Sequence, residues 1–234
     1  PEELEFNLKN SFHSLLAQKL NCKSEILREI NYKNLPTFLT IIDNIKKYVE
    51  KNNDVKIVII QLSTLEQDFF IYKDNIYKLN LQSAEKAIES KKKLLDEIEE
   101  SEKEEFSKLL DEDIELWINN TKEWNKKHAP FFIKKLNELN DFLKNKKIIF
   151  KVISYYEHFS PFRNLFNKNL YVNLYNNNKQ YSNIHGMAWT EKVMLCHDLN
   201  TSDQHPNLEG HKIVAESLYK NIIEDPLYKE IDIY

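Results

Sequence analysis

Apolar positions along the chain recur with two different periods. Phe12, Leu15, Leu16 and Leu20 follow helical spacing behind Asn10 and Ser11, either of which can cap a first turn, so residues 11–20 are expected to be helical. Leu39, Ile42, Ile45 and Val49 share one side of a second helix over 37–49, with Pro36 at its start. Phe132, Leu136, Leu139 and Leu143 predict a third over 131–143. Residues 55–62 (Val-Lys-Ile-Val-Ile-Ile-Gln-Leu) are β-branched and nearly continuous in apolarity, as a strand covered on both faces would be. Residues 147–155 form a second run of that kind, 170–175 a shorter third, and 25–32 alternate weakly as a further short strand. Strands alternating with helices predict an α/β fold with a doubly wound, mostly parallel sheet.

Residues 84–123 follow another rule. Between 84 and 115 there are thirteen acidic and six basic residues, with Ile88, Leu95, Ile98, Phe106 and Leu109 as a thin apolar stripe. This is the pattern of a long solvated helix or a helical hairpin inserted after the central strand. The chain therefore reads as a single α/β domain over 1–234 with a helical insertion over 80–125. A charged surface helix packing on one edge is the plain reading of 84–123. A binding arm for a protein partner is the other.

Composition narrows the classes. With 41% hydrophobic and 30% charged residues and a net charge of −4, the chain has no basic tail or stripe, so nucleic acid is not an expected partner. No apolar run approaches the ~20 residues of a membrane-spanning helix. Cys22 and Cys196 set no disulfide framework. The chain holds two glycines, Gly186 and Gly210, which rules out the glycine-rich phosphate loops of nucleotide-binding folds, and no cofactor is expected.

The most informative stretch for chemistry is Asp203-Gln204-His205-Pro206-Asn207, leading to Gly210-His211. Asn207 can cap a helix carrying Ile213, Val214, Leu218 and Ile222. Pro206 fixes the backbone after His205, and a nearby Asp can orient an imidazole and stabilise it once protonated, which is how a general base for a serine is built. His211, one turn inside the helix, reads as a packing or locally bonded histidine. His197, Asp198, Asp203, His205 and His211 also lie close together in sequence, with Glu157-His158 further off, but their spacing matches no standard zinc pattern, and no metal is assigned. His197 and His158 read as surface or capping residues, and Trp117, Trp124 and Trp189 as core.

His205-Pro206 and Gly210-His211 resemble the C-terminal block of the SGNH (GDSL-type) hydrolases, in which an Asp and a His precede the last helix. Residues 10–22 are similar to the helix after that family's nucleophile block, 55–62 to the strand before its oxyanion loop, and 147–155 to the next strand. The resemblance implies a flavodoxin-like three-layer sandwich, with His205 as base and Asp203 as orienting acid. Only Gln204 separates these two, where the family usually has two residues, and Ser202 stands at the usual acid position. The family's Gly-Asp-Ser turn is absent, and its Gly-x-Asn-Asp is replaced by Leu62-Ser63-Thr64-Leu65-Glu66-Gln67. Ser63, Thr64 and Asn34 remain as oxyanion or substrate donors. Because the family's first strand is the central one, either a strand bearing the nucleophile is expected upstream of Pro1, or the fold is rebuilt without it. The implied activity is a serine esterase or acyl hydrolase acting on an ester or acetyl group, on a carbohydrate, a lipid or a small molecule. The alternative is a degenerate member of the fold serving as a binding or structural module in a larger assembly, such as a virus particle. Compartment is not indicated.

Overall fold

The computed structural model describes residues 11–25, 38–62, 69–79, 84–154, 157–172, 174 and 208–231. Its elements are, in order, α1 (Phe12–Leu20), α2 (Phe38–Lys51), β1 (Ile57–Leu62), β2 (Phe69–Tyr72), β3 (Asn75–Lys78), α3 (Ala84–Glu97) and α4 (Lys103–Asn119). There follow α5 (Thr121–Asn145), β4 (Ile149–Ser154), a 3-10 helix (Glu157–Leu165), α6 (Leu208–Ile223) and a short 3-10 turn (Pro226–Lys229). The fold is α/β with helices predominating. Contacts divide the chain into two compact units: Pro1–Arg28 with Asn52–Ser63 and Lys134–Tyr234, and Glu29–Lys51 with Thr64–Ile133.

In the first unit β1 and β4 pair in parallel, from Ile57 opposite Ile149 to Leu62 opposite Ser154. A parallel bridge between Val152 and Tyr171 carries the pairing one step further. There Val152 N–H donates to Leu170 O and Val172 N–H to Val152 O, both at 2.9 Å. The expected strand over 170–175 is thus a single bridge among the described residues. Every residue of β4 is buried, which explains its continuous apolar reading.

One face of β4, through Ile149 and Ile153, shares a core with Phe12, Leu16 and Leu20 of α1 and with Val214, Ala215, Leu218 and Ile222 of α6. At about 1.5–3 kcal/mol per buried large aliphatic or aromatic side chain, this core dominates the docking of both helices. Phe12 meets His211, and seven residues further on Lys19 meets Glu216, so α1 and α6 run in the same direction. Parallel neighbouring helices on one face of a parallel sheet are what repeated strand–helix–strand crossovers produce.

In the second unit β2 and β3 form an antiparallel hairpin that the periodicity of the sequence did not disclose. Its two turn residues, Lys73 (φ 47°) and Asp74 (φ 62°), are both left-handed, the backbone that matches the twist of a tight hairpin. Phe70, Tyr72 and Leu79 pack with Ala87, Leu94 and Ile98 around Phe106 and Leu110. Phe106 receives the rings of Phe70, Tyr72 and Tyr77 edge-on at 5.0–5.2 Å.

Residues 84–119 form a helical hairpin, α3 and α4, tied by Lys91 Nζ to Asp111 at 2.6 Å. The apolar stripe differs from the expected one: Ile88 is 57% and Leu109 36% exposed, while Ala87, Leu94 and Leu110 are buried. The turn at 98–102 resets the helical phase, so no single stripe runs through both helices. At Asn120 the backbone leaves the helical region (φ −157°, ψ 74°), and its Oδ1 accepts from Glu123 N–H at 3.2 Å, capping α5. That cap starts α5 ten residues before the expected 131, and Pro130 lies within the helix. The weak strand expected over 25–32 falls almost wholly outside the described residues. No helix among the described residues is long and apolar enough to cross a membrane.

Candidate functional site

His205 and Asp203, with Ser63, Thr64 and Asn34, lie outside the described residues, as do His197, Asp198 and Trp189. The structure does describe the elements that flank them in sequence. Ser63 and Thr64 follow β1 directly, and α6 begins at Leu208, three residues after His205.

The first turn of α6 is tied to the start of α1. Phe12 N–H donates to Nδ1 of His211 at 3.3 Å, and the two rings stack with centroids 6.2 Å apart. His211, expected to pack or to bond locally, packs on Phe12 and bonds across 199 residues. Ser11, at the N-cap of α1, makes no capping bond with its own side chain. Its hydroxyl donates to Ser14 Oγ at 3.3 Å and lies 2.9 Å from His13 Nε2. The Ser11 hydroxyl and the His13 imidazole thus share a short contact at the start of α1. Further along, Lys19 Nζ pairs with Glu216 at 2.6 Å, and this bond holds the Glu216 carboxyl below its ordinary range.

The far end of α6 is held by a buried ion pair. Lys151, in the middle of β4 and 0% exposed, donates to Asp225 Oδ2 at 2.6 Å and to Asn169 O at 2.7 Å. Asp225 Oδ1 in turn accepts from Leu227 N–H at 3.1 Å and caps the 3-10 turn. A lysine interrupting an apolar strand was a visible signal that a charge would be buried. Its partner, 74 residues on, was not.

The second unit contains a polar centre that the sequence did not disclose. Asp113, 1% exposed, accepts from Trp124 Nε1 at 3.0 Å, Lys127 Nζ at 2.6 Å and His128 Nε2 at 2.8 Å. Burial alone would push its carboxyl up; the hydrogen bonds and charges of His128 and Lys127 outweigh that and hold it below the ordinary carboxylate range. Trp124 and His128, four residues apart on α5, bring their rings to 4.5 Å. Asp113 sits on a different helix, beyond the break at Asn120, so no spacing rule links it to them.

Cys22 is free, and partial desolvation pushes its thiol up, the opposite of an activated thiolate. Among the described residues no group of three or more His, Cys, Asp or Glu could hold a metal ion. No protein-family model, curated protein or solved structure matches the chain.

Proposed function

We propose that this chain carries the acid and base of an SGNH-type serine esterase or acyl hydrolase, on a flavodoxin-like three-layer framework, with His205 as general base and Asp203 as its orienting acid. The observation that carries the reading is the seating of α6. The helix that begins three residues after His205 packs parallel to α1 on one face of β4, with polar ties at both ends. The parallel pairing of 57–62 with 149–154, extended by the bridge from Val152 to Tyr171, agrees with it. In doubly wound sheets ligands bind beyond the carboxyl ends of the strands, and Ser63 and Thr64 directly follow β1.

In the reaction, His205 takes the proton of a serine hydroxyl as its Oγ attacks the acyl carbonyl, and Asp203 stabilises the imidazolium. His205 then returns the proton to the departing alkoxide, and water repeats the sequence to release the acid. Ser63, Thr64 and Asn34 are the residues that the resemblance leaves as oxyanion or substrate donors. The substrate class is an ester or acetyl group, including acylated carbohydrates and lipids.

Turnover of p-nitrophenyl acetate by the full-length protein tests this. His205→Ala should lower kcat by about 10²–10⁴-fold with the far-ultraviolet spectrum unchanged. Wild-type protein without turnover refutes the reading. A second reading, a non-catalytic module that binds a protein partner through α3 and α4, draws on Ile88 and Ile118, each 57% exposed on the hairpin. It requires a partner complex that Ile88→Asp and Ile118→Asp abolish.

A further inference from the structure

We propose that the outer groove between α3 and α4 is a docking surface for a lysine- or arginine-rich amphipathic helix of a partner protein. This deepens the reading of the hairpin as a binding arm, on which it rests, and is independent of the chemistry at His205. The inner face of the hairpin is already covered. Ala87 and Leu94 of α3 and Phe106 and Leu110 of α4 pack with Phe70 and Tyr72. Polar ties close that side, with Lys73 Nζ at 2.6 Å from Glu102 and the Tyr72 hydroxyl donating to Glu105 at 2.9 Å. The rest of the hairpin is open. Ile88 and Ile118 are each 57% exposed and Leu109 36%, and of the large apolar side chains that the described residues expose, only Leu165 lies elsewhere.

Ile88 and Ile118 border one groove. Each directly follows a residue packed on the core, Ala87 and Trp117, so each is turned about 100° from the core in the same helical sense. The turn at 98–102 folds α4 back along α3, and equal rotations on antiparallel helices carry the two rows either both toward the seam or both away from it. The bond from Lys91 to Asp111 shows that they turn toward it. Lys91 is three residues after Ile88 and Asp111 seven before Ile118, so each ion-paired residue shares its isoleucine's side of the helix.

Charge selects the occupant. Thirteen acidic residues stand against six basic ones between 84 and 115. Exposed Glu85 and Glu115 each lie one turn before an isoleucine on the same side. A second copy of the hairpin would set two acidic surfaces against each other, and anionic lipid or nucleic acid would meet the same repulsion. A helix whose apolar stripe is flanked by cations covers Ile88 and Ile118 and pairs with Glu85 and Glu115 at once. Two isoleucines bury little area, so charge supplies much of the affinity and the complex is transient and salt-sensitive.

The test titrates the full-length protein, by calorimetry and by NMR, with three synthetic helical peptides of about 18 residues. The first carries leucines at i, i+3, i+4 and i+7 among lysines. The second has glutamates in place of the lysines, and the third glutamines in place of the leucines. The leucine–lysine peptide should bind, shift the amides of Ile88 and Ile118, and lose about tenfold in affinity between about 50 and about 500 mM salt. Ile88→Gln with Ile118→Gln should weaken it by about tenfold or more at unchanged melting temperature, and the third peptide should bind the wild type as weakly. Equal binding by wild type and the double variant would overturn the proposal, because it would show charge attraction with no groove. Binding of the leucine–glutamate peptide instead, a dimer that the double variant abolishes, or no binding by any peptide would overturn it too. The binding-arm reading fails on a different result, a partner complex that survives Ile88→Asp and Ile118→Asp.

Discussion

Replacing Asp113 by Ala would leave the indole N–H of Trp124 and the ring of His128 facing an empty site in a closed interior. His128 is 2% exposed, so water cannot substitute for the lost acceptor. Breaking one side of such a buried pair costs about 3–5 kcal/mol, and urea unfolding should register a loss of that size. Lys127 adds little to this, because its side chain is half exposed. The pH dependence follows from the same carboxylate. Its folded form titrates below the ordinary range, so it stays ionised while the unfolded chain takes up a proton below about pH 4. The stability it supplies is complete above that point and is lost as pH falls through the folded value. Thermal unfolding of the wild type should therefore weaken on going from pH 5 toward pH 2.5, and Asp113→Asn should flatten that part of the profile. Lys151 presents the same problem with the opposite charge. Asp225→Asn should cost several kcal/mol, and adding Lys151→Met should recover much of it, since an apolar pair of similar size has no charge left to bury.

Turns show most clearly what a glycine-poor chain must do. Asn21, Lys73, Asp74, Lys147 and Asn169 all adopt left-handed backbone, and the chain's glycines are at 186 and 210. Asn21 closes α1 with bonds from its own N–H to Gln18 O and from Cys22 N–H to Ala17 O, the pattern that glycine usually serves. Each non-glycine residue in this region costs about 1–2 kcal/mol. Asp74→Gly should therefore raise the melting temperature, by an amount equivalent to about 1 kcal/mol, without altering the pairing of β2 with β3. This also explains why the hairpin was illegible. Hairpins announce themselves by Asn-Gly or Asp-Gly, whereas Lys73-Asp74 carries no such sign. The helices were more legible because burial follows period 3.6: Phe12, Leu16 and Leu20 are buried on α1, and Ile42, Ile45 and Val49 on α2. Where the sequence misled, on α3 and α4, a turn between two helices had shifted the phase of the apolar positions.

At the scale of the molecule, the α/β class was readable because β1 and β4 are mostly apolar and are separated by helices. Pairing partners were not, since a parallel register depends on crossovers that no local pattern encodes. The Asp203–His205 segment was legible as chemistry because proline and a following helix make a histidine useful. That segment lies outside the described residues; what the structure adds is how the helix after it is seated, with His211 reaching Phe12 and Lys151 reaching Asp225 across long stretches of sequence. The central claim is that a serine activated by His205 attacks an acyl group. Labelling of the full-length protein by a fluorophosphonate, read by mass spectrometry of its peptides, tests this most directly. The expected result is a single phosphonylated serine in the wild type and none in His205→Ala. An unlabelled wild-type protein, or equal labelling in the two, would contradict it.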